Sequence, residues 1–417
     1  MNIWIITVGE PLPEDGNNVR LYRSGLLFKE LTSADHNVTW WSSSFDHSQK
    51  KLRAYGDKYY QQGKSKILLL KTFPYKKNMS LGRVLNHYYL AKHFKDRISN
   101  EKVPDIIVCS FPTIELCTVA VQYAKANNIP IMIDVRDLWP DIFLNFAPNW
   151  AHVFLKIFLF KMFTDTKYVF QHSSSIIAVS DGYLNWGLEK ANRKRSKNDM
   201  VFPIGYPVQF LNKHDKTKTS KDMSSIGVDA SKIIFLFIGS FGKTYDLTTV
   251  IHAAKHYEKV CDNLQFVFCG DGERYDQWTN ESKGISNIIF TGWLNGTELN
   301  YLLSISNVGL ASYVQGAPQG FPNKIFEYMS VGLPILSSLQ GETKVLLDME
   351  EIGLTYNPIV KDDLIEKIDK FLDRNTCEKM RQNSQKLFDK RFSDKIVYHD
   401  FRNAIERVAL SFNKEKT

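Results

Sequence analysis

The 417-residue sequence predicts an α/β protein of two Rossmann-like domains, each built on a parallel sheet. Three observations predict it. Apolar runs of strand length alternate with helical stretches through both halves, the pattern of a parallel sheet covered by helices. The alternation breaks once, over the charged and polar residues 191–224. Strand-like runs of the second half end in glycine-containing loops, where open parallel sheets bind ligands.

The elements follow in order. NIWIITV is the first strand and ends at Gly9; the loop EPLPEDGNN and the helix VRLYRSGLLFKEL come next. HNVTWWSSS and SKILLLKT are strands, and a basic aromatic helix spans Leu81 to Ile98. PDIIVCSFP, the helix IELCTVAVQYAKANN and the strand IPIMIDVRD lead to an aromatic segment from Trp150 to Phe170 and the strand SSIIAVS. After the break, which includes an extended piece VFPIGYPVQF and a polar connector LNKHDKTKTSKDMSS, a second series begins with KIIFLFIGS. LTTVIHAAKHYEKV is a helix, LQFVFCGDGE and NIIFTGWL are strands with their loops, ELNYLLSIS is a helix, and VGLASYV and LPILSS are strands. Helices close the chain. The expected domains are 1–200, 201–395, and a last helix over 396–417.

Composition narrows the classes of function. The chain is 43% apolar and 24% charged, as globular proteins are. No apolar run reaches the roughly 18 residues of a membrane-spanning helix. MNIWIITVGEPLPEDG lacks a basic leader and a cleavage site, so a signal peptide is not expected. Five scattered cysteines fit reduced thiols in a cytoplasmic protein. The net charge of +8 is uneven: 27 Lys and Arg oppose 18 Asp and Glu in 1–200, against 26 and 27 in 201–417. A basic first half suits an anionic partner, namely a membrane surface or a lipid phosphate. Nucleic acid is not expected, since no binding motif accompanies the charge.

Gly316–Pro334, GAPQGFPNKIFEYMSVGLP, is the stretch richest in chemistry. Gly320 and Pro322 punctuate a loop, Asn323 is placed to cap a helix, and Gly332 and Pro334 end it. Lys324 and Glu327 share one helix face. A helix N-terminus beside a lysine suits a diphosphate, and a carboxylate one turn on suits a sugar diol. An ordinary surface helix with an ion pair fits the same residues. Three further loops fall at strand ends: Gly239-Ser240-Phe241-Gly242-Lys243, Gly270-Asp271-Gly272-Glu273, and Gly292-Trp293. The first lacks the GxxxxGK[ST] spacing of a nucleotide-triphosphate loop, and GEPLPEDGNNVR lacks GxGxxG. Gly16 still precedes a helix where backbone can approach a ligand. In the first half, IDVRDLWPD gathers Asp134, Arg136, Asp137 and Asp141 at a strand end, as a functional cluster or as a pair that fixes the loop. No D-x-D triplet supports a divalent metal, and His252 and His256 lack the glutamate of a zinc-protease helix. The Trp150–Phe163 segment, with Lys156, Lys161 and Lys167, reads either as an interfacial membrane helix or as a core helix. The helix carrying Arg83, Tyr88 and Tyr89 is placed beside it.

Taken together, these pieces resemble a family 4 glycosyltransferase of the GT-B fold over nearly the whole chain. The family's E-x7-E motif falls on Gln319 and Glu327, so its first acid is an amide here. GSFGKTYD is similar to the family's diphosphate loop, with Lys243 as its cation, and VFPIGYP to its domain-crossing segment. IDVRDLWPD and PNKIFEY resemble the bacterial O-antigen and capsule branch, which includes N-acetyl-L-fucosaminyltransferases. The resemblance implies two domains facing a central cleft, with C-terminal helices crossing back to the first. It implies a UDP-sugar donor, retention of anomeric configuration, no cofactor and no required metal. The implied acceptor is an undecaprenyl-diphosphate-linked saccharide on the inner face of the cytoplasmic membrane. Donor binding is expected from Gly16, Gly239, Ser240, Lys243, Gly270, Asp271, Gln319, Gly320, Asn323, Lys324 and Glu327. Catalytic roles are expected for Asp137, Asp134, Arg136, Lys243 and Lys324. A UDP-N-acetylhexosamine 2-epimerase and a non-catalytic sugar-nucleotide-binding subunit are the competing readings.

Overall fold

A computed structural model of the chain describes residues 1–16, 19–47, 49–53, 60–77, 80–145, 147–207, 213–317 and 319–414. These divide into two compact units, Met1–Pro203 with Val397–Thr417, and Ile204–Ile396. Ten strands lie in the first unit: β1 Asn2–Ile6, β2 Asn37–Ser43, β3 Phe45–Asp46, β4 Lys51–Leu52, β5 Tyr60–Gln62, β6 Ser65–Leu70, β7 Ile106–Phe111, β8 Ile131–Val135, β9 Ser175–Ala178 and β10 Met200–Val201. Six lie in the second: β11 Ile233–Ile238, β12 Leu264–Cys269, β13 Ile288–Gly292, β14 Val308–Ala311, β15 Ile335–Ser337 and β16 Gly353–Thr355.

The first unit's sheet has the order β10-β9-β8-β7-β1-β2-β6-β5 and the second unit's the order β13-β12-β11-β14-β15-β16. All pairings are parallel except β5 with β6; β3 and β4 form a separate antiparallel ribbon. Both sheets reverse winding direction once, between β1 and β7 and between β11 and β14. Such a switch point opens a crevice beyond the strands' carboxyl ends. The strands read as unbroken apolar runs because helices cover both faces. Within β1, Ile3 and Ile5 pack with Phe28 and Trp40 on one face, while Trp4 and Ile6 pack with Trp41 and Phe94 on the other. In β11, Ile234 and Leu236 likewise face away from Phe235 and Phe237. This is the two-residue period of a pleated strand.

The last helix, Asp394–Lys414, belongs to the first unit from Val397 onward. Its Phe401 stacks on Phe202 at 4.6 Å, and Val397, Ala404, Ile405 and Val408 complete that face of the core.

Three local expectations change. The first helix begins at Arg23 rather than Val19. The polar connector contains a helix, Lys213–Ser225, in which Thr219 and Met223, one turn apart, are buried. It packs against the helix Gly296–Ile305, although its sequence is mostly polar. The aromatic segment is two helices, His152–Phe158 and Phe160–Gln171. Its Trp150, Phe154, Phe158 and Phe160 side chains are exposed, which rules out a core role for that face. His252 and His256 stand exposed on the helix Thr248–Val260. Among the described residues no helix is long and apolar enough to cross a membrane.

Candidate functional site

The second unit's switch point is built around the helix Asn323–Met329. Tyr328 fixes that helix to the sheet. Its hydroxyl accepts from the Ile238 N–H at 3.1 Å and lies 3.0 Å from the Leu310 carbonyl. It thereby ties β11 to β14. Gly309 leaves room for the ring, since a Cβ there would lie 2.4 Å from it. Pro322 is the N-cap, in extended backbone, and no side chain caps this helix. The cap expected from Asn323 is therefore corrected: Asn323 is the first helical residue and is exposed. The helix is only seven residues, about two turns. Its dipole is correspondingly modest, and the charge at the site comes from Lys324.

Lys324 is 5% exposed. Its Nζ sits over the rings of Phe237 at 3.8 Å, Tyr245 at 4.1 Å and Tyr313 at 5.1 Å, and has no hydrogen-bond partner. Phe237 comes from β11, Tyr245 follows it, and Tyr313 follows β14; Tyr245 and Tyr313 form an antiparallel bridge. Burial holds the ammonium's pKa well below the usual lysine range, with Glu327 acting in the other direction. The rings offer a desolvated cation about 2 kcal/mol, less than the several kcal/mol that taking an ion out of water costs. An anionic ligand would supply the missing acceptor. Gly239 borders this ammonium, its hypothetical Cβ falling 3.4 Å from Nζ.

Glu327 is also buried, and its Oε1 accepts from the Tyr206 hydroxyl at 2.5 Å. The surface ion pair considered for Lys324 and Glu327 is thus excluded, because both side chains lie inside the unit. Gln319 presents a buried Oε1 with no hydrogen-bond partner. Gly320 accepts from the Thr343 hydroxyl, and a Cβ there would lie 2.6 Å from Glu342 Oε2.

The other strand-end loops do converge. The Phe241 N–H donates to Asp271 O at 2.8 Å, Gly239 N–H to Cys269 O at 3.0 Å, and Gly270 N–H to Gly292 O at 2.9 Å. A Cβ on Gly270 would stand 1.9 Å from Gly239 O, so the two loops touch backbone to backbone. Lys243 behaves differently from Lys324. It is 80% exposed, with its ammonium 3.9 Å from Glu273 and its N–H donating to the same carboxylate. Ser240 is exposed, and the Asp271 side chain accepts from the adjoining Gly272 N–H.

At the first unit's switch point, Arg23 donates to both oxygens of Asp134 at 2.9 Å and to the carbonyls of Phe202 and Pro203. Arg136 donates to Asp134, Glu10 and Ser24. Burial alone would raise the Asp134 pKa, yet the two guanidinium groups hold it low. Burial would lower that of Arg136, and Asp134 and Glu10 raise it. Asp134 has no exposed surface. The direct substrate role expected for it is corrected: both its oxygens are committed to arginines, and it is a positioning residue. Asp137 is separate from this network. Its carboxylate accepts from the Leu138 N–H, and burial raises its pKa. Asp141 accepts from Lys190 at 2.7 Å. Gly16 ends a loop that Arg53 pins through a two-bond contact with Asp15. The sequence reading missed Tyr206, Phe237, Tyr245, Tyr313, Arg23 and Glu10. Tyr245 stood in the quoted GSFGKTYD loop and Tyr206 in VFPIGYP, where their spacing to Lys324 and Glu327 carried no signal.

Among the described residues, no group of three or more His, Cys, Asp or Glu side chains is arranged to hold a metal ion.

Residues 218–387 match the family model described as Glycosyl transferases group 1. O-antigen chain mannosyltransferase C of Escherichia coli is 22% identical over 223 residues, 52% of this chain and 56% of the relative. The match thus spans little more than half of that relative's length. Sucrose-phosphate synthase from Thermosynechococcus elongatus superposes with a TM-score of 0.73 at 16% identity, over 98% of this chain and 99% of that one. Anabaena HepE, solved in complex with UDP, gives 0.65 at 12% identity over 97% and 99%. Together they define a chain of the GT-B fold whose residues 218–387, inside the second unit, match the glycosyl transferases group 1 model.

Proposed function

We propose that the chain transfers a sugar, with retention of configuration, from a UDP-sugar to a lipid-diphosphate-linked saccharide in bacterial surface polysaccharide synthesis. The observation that carries this reading is the Lys324 ammonium, buried in an aromatic cage at the second unit's switch point without an acceptor. A donor diphosphate supplies that acceptor. Negative charge grows on the diphosphate as the bond from the anomeric carbon to its oxygen breaks, so a fixed, desolvated cation stabilises the transition state more than the ground state. The acceptor hydroxyl forms the new bond and its proton leaves with the diphosphate. Glu327, oriented by Tyr206, accepts hydrogen bonds from the ribose hydroxyls. Gly239 borders the cage and Gly270 touches Gly239; in this reading their backbone and that of Ser240 contact the donor, and Asp137 orients the acceptor or the transferred sugar.

The UDP seen with HepE and the name of the E. coli relative support the donor and pathway class. The transferred sugar expected from the resemblance is an N-acetylated deoxyhexosamine; mannose, named for the relative, is its competitor. A UDP- and GDP-sugar panel with a polyprenyl-diphosphate acceptor, read by product mass, decides both. Lys324→Ala should leave a folded protein with turnover reduced at least 100-fold. Wild-type turnover in that variant overturns the assignment. Neither a cofactor nor a metal is part of the proposed chemistry; turnover that survives exhaustive chelation is the expected result. The exposed aromatic face of the helices at 152–171, with Lys156, Lys161 and Lys167, would seat the enzyme on the anionic inner leaflet.

A further inference from the structure

A second cationic cluster lies in the first unit, apart from the residues assigned above. His47 Nδ1 is 2.5 Å from the Tyr75 hydroxyl and 3.2 Å from Lys50 Nζ. Lys50 also sits 4.9 Å from the Tyr75 ring centroid. Arg83 stacks over Trp139 at 4.4 Å, and His87 lies beside the same ring at 5.9 Å. Arg83 is near enough to push down the pKa values of Lys50, His47 and His87, each already lowered by burial. Asp46 and Asp137 oppose this in part, Asp46 toward Lys50 and His47 and Asp137 toward Arg83. His47, held near pKa 4, is neutral at pH 7; the Lys50 ammonium can only donate, which puts the imidazole proton on Nε2 and makes Nδ1 the acceptor. It is a positioning residue that fixes Tyr75 and Lys50.

We propose that Lys50, Tyr75 and Arg83 form an anion site that takes a diphosphate group. Like charges brought together at a structural cost, on rigid aromatic supports, are repaid by a multiply charged oxyanion. The donors suit one: an ammonium as a point charge, a hydroxyl, and a guanidinium fork that matches phosphate oxygens. The helix Leu81–Arg97 argues for a lipid carrier. Arg83 and His87 lie on its inner side, while Leu81, Leu85 and Tyr88 are exposed on its outer side. A tail leaving a diphosphate at Arg83 would cross the partly exposed Val84 to reach Leu81 and Leu85 on the outer face. The lipid assignment rests on the function proposed above; the anion site does not.

The test is calorimetry on the full chain with inorganic diphosphate and with farnesyl diphosphate, which needs no turnover. Lys50→Ala/Arg83→Ala should weaken both ligands at least tenfold and leave UDP affinity unchanged. Lys50→Arg/Arg83→Lys should recover most of the binding, which separates charge from folding. Unchanged affinity in the alanine variant overturns the site, as does an equal loss of UDP affinity. A preference for farnesyl diphosphate that Leu85→Ser/Tyr88→Ser removes assigns the lipid source. Equal affinity for both ligands overturns the lipid carrier and leaves a soluble diphosphate as occupant. If the anion site holds but no lipid-linked acceptor is ever glycosylated, the proposed function fails and this site stands.

Discussion

At the scale of single residues, the active-site proposal makes Lys324 a liability without its ligand. A buried ammonium with no acceptor destabilises the fold, so Lys324→Met should raise the apo protein's stability by roughly 1–3 kcal/mol while abolishing donor binding. Chemical denaturation and UDP titration check the two halves together. The lowered pKa gives a pH signature. The unfolded lysine binds its proton up to 10.5, whereas the folded one releases it earlier. Stability of the apo protein therefore rises with pH through that interval, and Lys324→Met removes the slope. A bound diphosphate raises the pKa again, so binding takes up protons and weakens as pH rises. Calorimetry in buffers of different ionisation heat reads that uptake directly. Tyr206→Phe should cost about 1–3 kcal/mol in stability, the value of a hydrogen bond to a charged group, and should weaken donor binding through Glu327.

At the scale of elements, the two glycine loops make a sharper contrast. Gly270→Ala would drive a Cβ into Gly239 O at a φ of +147°, where side chains are strained. Gly242→Ala meets nothing within 4 Å. The first should cut donor affinity at least tenfold and the second leave it within twofold, by the same titration. The strands were legible in sequence because burial on both faces writes them as continuous apolar runs, as in IIFLFI and LQFVFC. The Lys213–Ser225 helix was not, because Met223 is the one apolar residue in its sequence and sets up no helical period. The strand-end loops were legible from their glycines, and Lys324 and Glu327 from their spacing. Their burial and their partners were not. Tyr206 lies 121 residues from Glu327, and Arg23 lies 111 from Asp134; no local pattern relates side chains that only the winding of a sheet brings together. For Asp134 the sequence showed one partner, Arg136 two residues on, as the pair that fixes the loop; the second, Arg23, it could not show.

At the scale of the whole molecule, charge and exposed apolar surface coincide in the first unit. The excess of Lys and Arg over Asp and Glu lies entirely in residues 1–200, which also carry Trp150 and Phe158, each 76% exposed. Phe154→Ser/Phe158→Ser should abolish flotation with anionic vesicles, while wild-type binding should weaken with salt. Retained flotation in the variant would refute that face as the docking surface. Acid should loosen the same unit first. His87, buried against Arg83, His47 and Glu115, has a pKa near 3 in the fold against 6.5 unfolded. The unfolded state thus binds more protons between those values, and stability is lost as pH falls below about 6.5. His87→Gln should flatten that loss in denaturation series at pH 7, 6 and 5.

The chain leaves its first unit at Pro203 and re-enters it at Val397. That has a consequence for synthesis. A ribosome delivers β1 long before the last helix, so the hydrophobic face formed by Ile3, Ile5, Phe28 and Phe202 lacks Phe401, Ile405 and Val408 until that helix has emerged. The second unit, contiguous from Ile204 to Ile396, has all its parts sooner. Of the two units, the one begun first is the one finished last. During translation its uncovered core is a natural client for chaperones, and a nascent chain stalled before Val397 should be cut by protease in its N-terminal half while the second unit resists.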